Sequence, residues 1–475
     1  MVARRLRLLG LERGEYLLAA LAMGSTGVLV LAGAHKFGTE GLLLPLALLL
    51  LVVLLSRPLL SIGLVVGLTI LCEGPTFGIL TFTSQLYTQL YKYVTLLDVL
   101  FVVAIAALAL DLMRTRRTLW LPQALKPPLL LLGLAMLAGA VVGHANGTGI
   151  RYVLVSEHVL AYLLLLPIAV ANLRLNRAQL TRLLGGLAVL AIVKAALGVA
   201  EVLGGFGLSV EGTATLSYYE PAANWLIMVA SLTVLAALLA RAKPPLWLSL
   251  PSVLLVACLL LSYRRSFWIA SLLGLALVLV LGTSPAGRRV LVQAIAAVAV
   301  AVWLLGTISF QSSQLPIAKR AATLNPTKLE ANLEDRYRLD ERANVLGEIR
   351  AHPLSGLGMT IPWAATVRPL PVEHEEGRQY VHFAALWYWL KLGILGLCAY
   401  LGVMLGSAAL AWQAWRRGLE PLARAFALGS LAGMGGLVAI DTTASFTGVD
   451  ARFTVLFAAQ IGLLALIVRH AEEER

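Results

Sequence analysis

The sequence predicts an all-α fold, a polytopic membrane bundle of about 12–14 transmembrane helices with a large external loop that itself contains helices. Hydrophobic residues make up 59% of the 475 residues, and charged residues only 13%. The mean hydropathy is +0.84. A water-soluble globule of this size needs more charged surface, so lipid is the expected solvent. Because apolar runs recur from end to end, we expect one integral membrane domain over residues 1–475.

The individual helices are predicted from apolar runs close to the ~20 residues that cross a bilayer. The first follows a basic segment and is expected to remain as an uncleaved helix. The second and third runs are short and are separated by Arg57 and Pro58, so they are the weakest pair. The predicted cores are 15–33, 41–56, 58–72, 95–112, 127–143, 156–172, 183–204, 223–240, 246–262, 266–282, 290–309, 383–407, 423–440 and 452–468.

The basic residues of the short connections predict the orientation. With the N-terminus in the cytoplasm, most of them fall on the cytoplasmic side, as Lys and Arg do in membrane proteins. They are Arg57, Arg114, Arg116, Arg117, Lys126, Arg174, Arg177, Arg182, Arg241, Lys243, Arg288, Arg289, Arg416 and Arg417. The other side carries few cations, chiefly Lys36, Lys92, Arg151, Arg264 and Arg265. We therefore expect both termini in the cytoplasm.

This orientation places the long hydrophilic segment 311–381 outside, as a loop inserted between two transmembrane helices. Its middle, EDRYRLDERANVLGEIRAHP, predicts an amphipathic helix whose apolar anchors are Tyr337, Val345, Leu346 and Ile349. The two glycines of the following HPLSGLGMT indicate a tight turn. Function is expected in this loop, since long external loops commonly carry binding residues.

Several function classes are disfavoured. The net charge is +13, but the basic residues are scattered between apolar runs, so no nucleic-acid partner is expected. Cys72, Cys258 and Cys398 form no CxxC spacing, so neither a disulfide framework nor a zinc site is indicated. There is no glycine-rich phosphate loop, HExxH or GxSxG element. We therefore expect no cofactor and no metal, and Arg or Lys would have to neutralise any bound phosphate.

Arg264 and Arg265, in LLLSYRRSFWIASLL, must stay near the outer membrane boundary because their connection is so short. An arginine at the bilayer centre costs about 2.5–3.5 kcal/mol, so its presence there needs a reason. The planar guanidinium matches phosphate oxygens in pairs and suits a diphosphate on a lipid anchor. Snorkelling to the interface is the alternative.

Two further groups of charges lie in apolar surroundings. Lys194 and Glu201 lie two turns apart on one helix face. We expect them either to form structural ion pairs, with each other or with neighbours, or to line a substrate path. His382 and Lys391 lie where the loop enters the next helix, in YVHFAALWYWLKLGILGLCAYLG. A neutral imidazole there can accept a proton from a sugar hydroxyl. The alternative for His382 is a polar tip in an aromatic belt.

Three segments resemble the O-antigen ligase and O-antigen polymerase superfamily of bacterial membrane glycosyltransferases. YRRSFWIA is similar to its Ser-Arg element, with Arg265 on the arginine and Arg264 in place of serine. RANVLGEIRAHPLSGLGMT is similar to its loop helix followed by hPl-G-G. YVHFAALWYWLKLGILGL is similar to H-N-x-x-L-x-x-x-x-E-x-G-I-L-G, with His382 on the histidine.

The chain also departs from the family pattern. Phe383 replaces the common asparagine and Lys391 the common acidic residue, so a hydrogen bond that assists His382 must come from elsewhere. A further family arginine has no clear match in EGTATLSYYEPAANW, where Glu220 and Asn224 occupy the neighbourhood.

The resemblance implies a metal-independent, inverting transfer of a glycan from an undecaprenyl-diphosphate-linked donor to an acceptor glycan or glycolipid, at the outer face of the bacterial cytoplasmic membrane. His382 would be the general base. The diphosphate would bind Arg265, helped by Arg264 and by Arg336, Arg338 or Arg342 of the loop. Lys194, Glu201, Lys391, Glu220 and Asn224 are possible supporting residues.

Polymerase and ligase share this donor chemistry, and we slightly favour polymerase. A transporter or flippase for a lipid-linked or small anionic substrate is the alternative from another class, with Lys194, Glu201 and Arg265 along its path. Such proteins typically show internal repeats and broken helices. A noncatalytic scaffold would leave the outward arginines unexplained.

Overall fold

A computed structural model of the chain describes residues 43–73, 81–91, 94–205, 208–209, 216–218, 220–240, 249–282, 333–370 and 376–474. These residues are mainly helical, which confirms the all-α class. The helices are α1 (Leu43–Ser56), α2 (Pro58–Leu71), α3 (Leu96–Arg114), α4 (Lys126–Ala145), α5 (Ile150–Ser156), α6 (His158–Ala171), α7 (Arg177–Leu203), α8 (Pro221–Leu239), α9 (Ser249–Leu261), α10 (Arg265–Gly282), α11 (Leu333–Ala351), α12 (Ala384–Arg417), α13 (Pro421–Asp441) and α14 (Ala451–Glu473).

Short elements connect some of these helices. Single 3₁₀ turns span Thr81–Leu86 and Glu376–Gln379. Two antiparallel strand pairs join β1 (Gln89–Tyr91) to β2 (Val94–Thr95), and β3 (Leu208–Ser209) to β4 (Leu216–Ser217).

Every predicted core that falls on described residues coincides with a helix, whereas cores 15–33 and 290–309 lie outside them. Within the described ranges, 8 helices are long and apolar enough to cross a membrane, or up to 9 if the bent pair α1–α2 counts as one span. Two shorter apolar helices are His158–Ala171 and Pro251–Leu261. These findings support a multi-pass membrane protein.

The weakest predicted pair of spans forms one sharply bent unit. The axes of α1 and α2 differ by 109°. Arg57 has φ −132° and ψ 82°, outside the helical region. The reason is Pro58, whose ring disfavours a helical conformation of the preceding residue. The pair is therefore a broken span or a re-entrant segment rather than two straight crossings.

Helix starts are fixed by polar side chains that satisfy the free N–H groups of the first turn. At α3 a capping box forms: the Asp98 N–H donates to Thr95 Oγ1 at 3.2 Å, and the Thr95 N–H donates to the Asp98 carboxylate at 2.7 Å. At α14 the Phe453 N–H donates to Asp450 Oδ1 at 2.7 Å. These caps set where the buried helices begin.

The core centres on α14, which is almost wholly buried and packs against α6, α12, α2 and α8. Helix α13 packs closely against α8 and α10 because small residues face both neighbours. A Cβ on Gly429 would lie 2.6 Å from the Thr233 nitrogen, and one on Gly436 would lie 2.5 Å from the Ala270 carbonyl oxygen. These glycines bring the N-terminus of α10 against the centre of the bundle.

The contacts define two ends of the bundle. At one, which we call the basic end, Arg177 pairs with Glu420 and Glu474, and Arg417 pairs with Glu472. Connections predicted to be cytoplasmic therefore meet at one end. At the opposite loop end lie α11 and the N-termini of α10, α12 and α14. The assignment of the basic end to the cytoplasm stays a prediction.

The segment after α11 inserts between α4 and α12. The Leu357 N–H donates to the Leu390 carbonyl at 2.7 Å, and the Asn146 side chain donates to the Leu357 carbonyl at 2.9 Å. Gly356 and Gly358 have φ values of +65° and +88°, which confirms the predicted tight turn. α12 is interrupted at Gly393, where φ is +67° and the Ile394 N–H donates to the Leu354 carbonyl at 3.2 Å.

Candidate functional site

Helix α11 lies across the loop end and carries part of the site on its bundle-facing side. Val345 and Ile349 are buried, while Tyr337 and Leu346 are half-buried. The predicted amphipathic helix of the loop is therefore confirmed. Residues 311–332 of the predicted loop lie outside the described part of the chain.

His382 is held by a carboxylate from α11. Its Nδ1 lies 3.1 Å from each carboxylate oxygen of Glu341, and its backbone N–H donates to Glu341 Oε2 at 2.8 Å. The Glu341 side chain is 2% exposed and that of His382 is 29% exposed. A carboxylate on Nδ1 favours the tautomer with the proton on that nitrogen. Nε2 is then the nitrogen that can accept a proton.

Two tyrosine rings fix the plane of the imidazole. Tyr380 and Tyr337 contact it edge-on, with ring centroids 4.8 Å and 5.9 Å away. The Tyr380 hydroxyl accepts the Ser445 N–H at 2.8 Å, and the Ser445 hydroxyl donates to the Val381 carbonyl at 2.5 Å. Burial raises the pKa of Tyr380, so its hydroxyl stays protonated. The Tyr380 ring is therefore an uncharged part of the site's lining.

Arg265, at the start of α10, meets the first turn of α11. Its Nη1 and Nη2 donate to the two carboxylate oxygens of Asp335 at 3.1 Å and 2.9 Å. Arg338 Nη1 shares the same carboxylate at 3.4 Å. Asp335 therefore holds the guanidiniums of Arg265 and Arg338 close together.

Arg264 lies beside the same cluster. Its guanidinium stands over the Phe446 ring, 5.5 Å from the centroid. Phe446 lies shortly before α14 in the chain, so Arg264 stands near the start of that helix. The structure therefore brings Arg264, Arg265, Arg338 and His382 to one region.

Arg342 and Arg336 lie further out on α11. Arg342 stands over the Phe383 ring at 5.0 Å and donates to the Thr442 carbonyl at 3.4 Å. The Arg336 side chain is 61% exposed and pairs with Asp340 at 3.8 Å. Arg342 thus borders the site, whereas Arg336 stands apart from the cluster around Asp335.

The remaining predicted residues form a buried network at the loop end of α7, α8 and α14. Lys194 pairs with Glu73, which also accepts the Tyr218 hydroxyl at 2.7 Å. Glu201, on the same face of α7, is buried. Lys194 therefore has a neighbour inside the bundle as its ionic partner, one of the two predicted arrangements.

Glu220 and Asn224 belong to the same network. Glu220 caps α8 and pairs with Arg452 Nη1 at 2.8 Å, while the Asn224 amide donates to the Glu220 carbonyl at 2.6 Å. Arg452 lies in the first turn of α14, next to the helix cap Asp450. The network therefore reaches the start of α14.

Lys391 lies in the first part of α12, buried, and its ammonium donates to the Ile361 carbonyl. The carboxylate of Glu341 contacts His382 Nδ1, so the assisting hydrogen bond comes from elsewhere in the chain and not from position 383 or 391. Among the described residues, no group of three or more His, Cys, Asp or Glu side chains is placed to hold a metal ion.

Sequence reasoning missed Glu341, Asp335 and Arg452. The predicted phosphate ligands were all cations, and the acidic residues of EDRYRLDERAN were given no role in the site. The spacing did contain a signal. Asp335, Arg338 and Glu341 follow one another at intervals of three residues, and Arg342 lies four residues after Arg338, which places all four on one helix face with Val345.

Comparison with known proteins locates the family resemblance. Residues 250–401 match the family described as O-antigen ligase. This segment includes Arg264, Arg265, α11 and His382. Among proteins with curated functions, none matches the chain at a significant level.

Among solved structures, one titled "Structural coordination of polymerization and crosslinking by a peptidoglycan synthase complex" is 19% identical, with a TM-score of 0.44, and the match covers 71% of this chain and 96% of that one. The match of residues 250–401 to the O-antigen ligase family confirms the predicted resemblance of this membrane protein to the superfamily of O-antigen ligases and polymerases.

Proposed function

We propose that this protein is a membrane glycosyltransferase that moves a glycan from an undecaprenyl-diphosphate-linked donor to an acceptor glycan or glycolipid at the outer face of the bacterial cytoplasmic membrane. One observation carries the proposal: the same face of α11 holds a histidine–carboxylate pair and a cluster of arginines. Asp335 and Glu341 are six residues apart, so the two groups are separated by roughly 9 Å along the helix. An inverting transfer needs a base on one side of the sugar and a leaving-group site on the other, and this separation leaves room for the sugar between them.

In the proposed reaction, His382 Nε2 takes the proton of an acceptor hydroxyl, and the oxygen attacks the anomeric carbon of the donor. The bond between that carbon and the diphosphate oxygen breaks, and the configuration inverts. Glu341 orients the ring and stabilises the imidazolium that forms. No metal is needed in this scheme, because the chain's own cations can take up the charge.

The diphosphate leaves with growing negative charge, which Arg265, Arg338 and Arg264 stabilise. Asp335 keeps the two guanidiniums of Arg265 and Arg338 in place before the donor arrives. One well-placed donor to a developing oxyanion is worth about 3 kcal/mol, so the loss of Arg265 should cost on the order of a hundredfold in rate. Arg342 lies at the border, where it can contact the glycan.

The test is transfer by the full-length protein in proteoliposomes that contain a lipid-diphosphate oligosaccharide and a candidate acceptor. His382→Ala and Arg265→Ala should lose at least about a hundredfold in rate. Arg350→Ala, an exposed position at the end of the same helix, is the matched control. Parental rates in both site variants, with unchanged melting, would refute the site.

The product separates the remaining alternatives. A transporter would move the lipid-linked glycan without forming a glycosidic bond, so its products would keep the donor's length. A polymerase lengthens a lipid-linked glycan, and a ligase attaches it to a glycolipid. We favour a glycan chain as the acceptor.

A further inference from the structure

A small pocket lies near the proposed base. A cavity of about 180 Å³ is lined by Ser156, Thr360, Gln379, Tyr380, Trp387 and Lys391 together with apolar neighbours. At ~30 Å³ per water this is the room of about six waters, which is close to that of one pyranose ring. Tyr380 is shared between this cavity and the His382 site. A group in the cavity therefore lies next to the base.

Lys391 is the charged group of this cavity lining. Its side chain is 2% exposed and its ammonium donates to one acceptor, the Ile361 carbonyl. An ammonium carries three N–H donors. Within the described ranges, no second acceptor and no carboxylate pairs with it. A buried cation without an anion is costly and tends to lose its proton, whereas an anionic ligand in the cavity would keep the ammonium charged.

The other polar groups of the lining are neutral. Ser156 and Thr360 offer hydroxyls, Gln379 offers an amide, and Trp387 offers an aromatic surface. Hydroxyls and amides hydrogen-bond sugar hydroxyls, and the indole packs against the apolar face of a sugar ring. The lining therefore suits a sugar residue with a single anionic group.

We propose that this cavity binds an acidic sugar residue of the glycan substrate, and that Lys391 recognises its carboxylate. The inference rests on the proposed glycosyl transfer and narrows its substrate class to glycans that contain a uronic acid or a similar sugar. Lys391 is then a specificity residue. The sugar in the cavity places a neighbouring hydroxyl or anomeric carbon at His382.

The anionic group could instead be the diphosphate of the donor. Both sources would place an anion next to the Lys391 ammonium, but they differ in which small molecule binds at the same place. Small probes distinguish them without any transfer reaction, so a failure of the proposed function and a failure of this inference give different results.

The experiment measures binding to the full-length protein in detergent by calorimetry at constant ionic strength. The probes are methyl β-D-glucuronide, methyl β-D-glucoside and inorganic pyrophosphate. The wild-type protein should bind the glucuronide about tenfold or more tightly than the glucoside, the gain expected from a charge-assisted hydrogen bond. Lys391→Met should abolish this preference and retain glucoside binding. Lys126→Met, at an exposed lysine of the basic end, should behave as wild type.

Three results would overturn the inference. They are equal wild-type affinity for the two glycosides, an unchanged preference in Lys391→Met, and loss of pyrophosphate binding in Lys391→Met. If Lys391→Met does not fold, Val449→Phe carries the test, because the larger ring fills the cavity and leaves the ammonium intact. Glucuronide binding by Val449→Phe at wild-type affinity would exclude the cavity as the site.

Discussion

At the scale of single residues, Glu341 is the group that turns a membrane-interface histidine into a candidate base. A histidine with one edge on a buried carboxylate has a fixed ring and a fixed tautomer, whereas a histidine in an aromatic belt has neither. Tyr380 and Tyr337 complete the fixation by contacting the ring from its sides. From its position, His382 could be a general base or a polar tip in an aromatic belt. The contact with Glu341 favours the general base.

We predict that Glu341→Gln lowers kcat by roughly a hundredfold or more and leaves KM nearly unchanged, because the amide keeps the packing but does not stabilise the imidazolium. The measurement is the steady-state kinetics of reconstituted protein. Glu472→Gln, an exposed carboxyl at the basic end, is the control. A matching rise in KM with constant kcat would assign Glu341 to substrate binding instead.

The pair of Lys194 and Glu73 gives a residue-scale prediction about stability. Lys194→Met leaves the Glu73 carboxylate buried without its cation, so the free energy of unfolding should fall by about 3–5 kcal/mol. The double variant Lys194→Met/Glu73→Gln should recover much of this loss, since the remaining group is neutral. Unfolding in mixed micelles measures both. Equal destabilisation of the single and double variants would contradict the account.

At the scale of elements, the turn after α11 depends on glycines that lie against other backbones. A Cβ on Gly358 would lie 2.3 Å from the Gly143 nitrogen, and one on Gly393 would lie 2.0 Å from the Leu354 carbonyl oxygen. The Gly393 interruption of α12 gives space to this turn. This turn is followed by Ile361, whose carbonyl accepts a hydrogen bond from Lys391, and the chain then continues from α11 towards His382.

We predict that Gly358→Ala is destabilised by more than the strain of a positive φ alone. Gly147 is the matched control, because its φ is +93° but a Cβ there would have nothing within 4 Å. Gly147→Ala should cost about 1–2 kcal/mol, and Gly358→Ala clearly more. Thermal unfolding followed by tryptophan fluorescence compares them. Equal shifts would mean that the backbone contact contributes nothing.

At the scale of the whole molecule, the described charged groups lie at two ends of the bundle. Arg177 and Arg417 lie at the basic end, where Arg177 joins three parts of the chain. The arginine cluster and His382 lie at the other. This separation is what a protein needs if it receives a lipid-linked anion at one membrane face only.

We predict that a cysteine at position 350 reacts with an impermeant maleimide from outside intact cells, whereas one at position 177 reacts only after permeabilisation. The parent protein for this labelling lacks Cys72, Cys258 and Cys398. The reason is the orientation that the basic residues favour. The reverse pattern would place the site in the cytoplasm and remove the proposed mechanism.

The amino-acid sequence was enough to predict the helical membrane class, nearly all helix positions in the described ranges, the amphipathic α11 and its glycine turn. These features follow from hydropathy, periodicity and turn chemistry, which are local in the chain. The sequence also pointed to His382 and Arg265 as candidate site residues, through a resemblance to family motifs.

The partners of the charged site residues became visible in the folded chain alone. Glu341 reaches His382 across 41 residues of chain and Asp335 reaches Arg265 across 70, and no local pattern encodes which carboxylate meets which cation. The same holds for Lys194 with Glu73 and for the cavity at Lys391. Such pairs depend on how the helices pack. A buried charge without a partner is costly in the low-polarity interior, and helix packing determines which opposite charge lies close enough to pair with it.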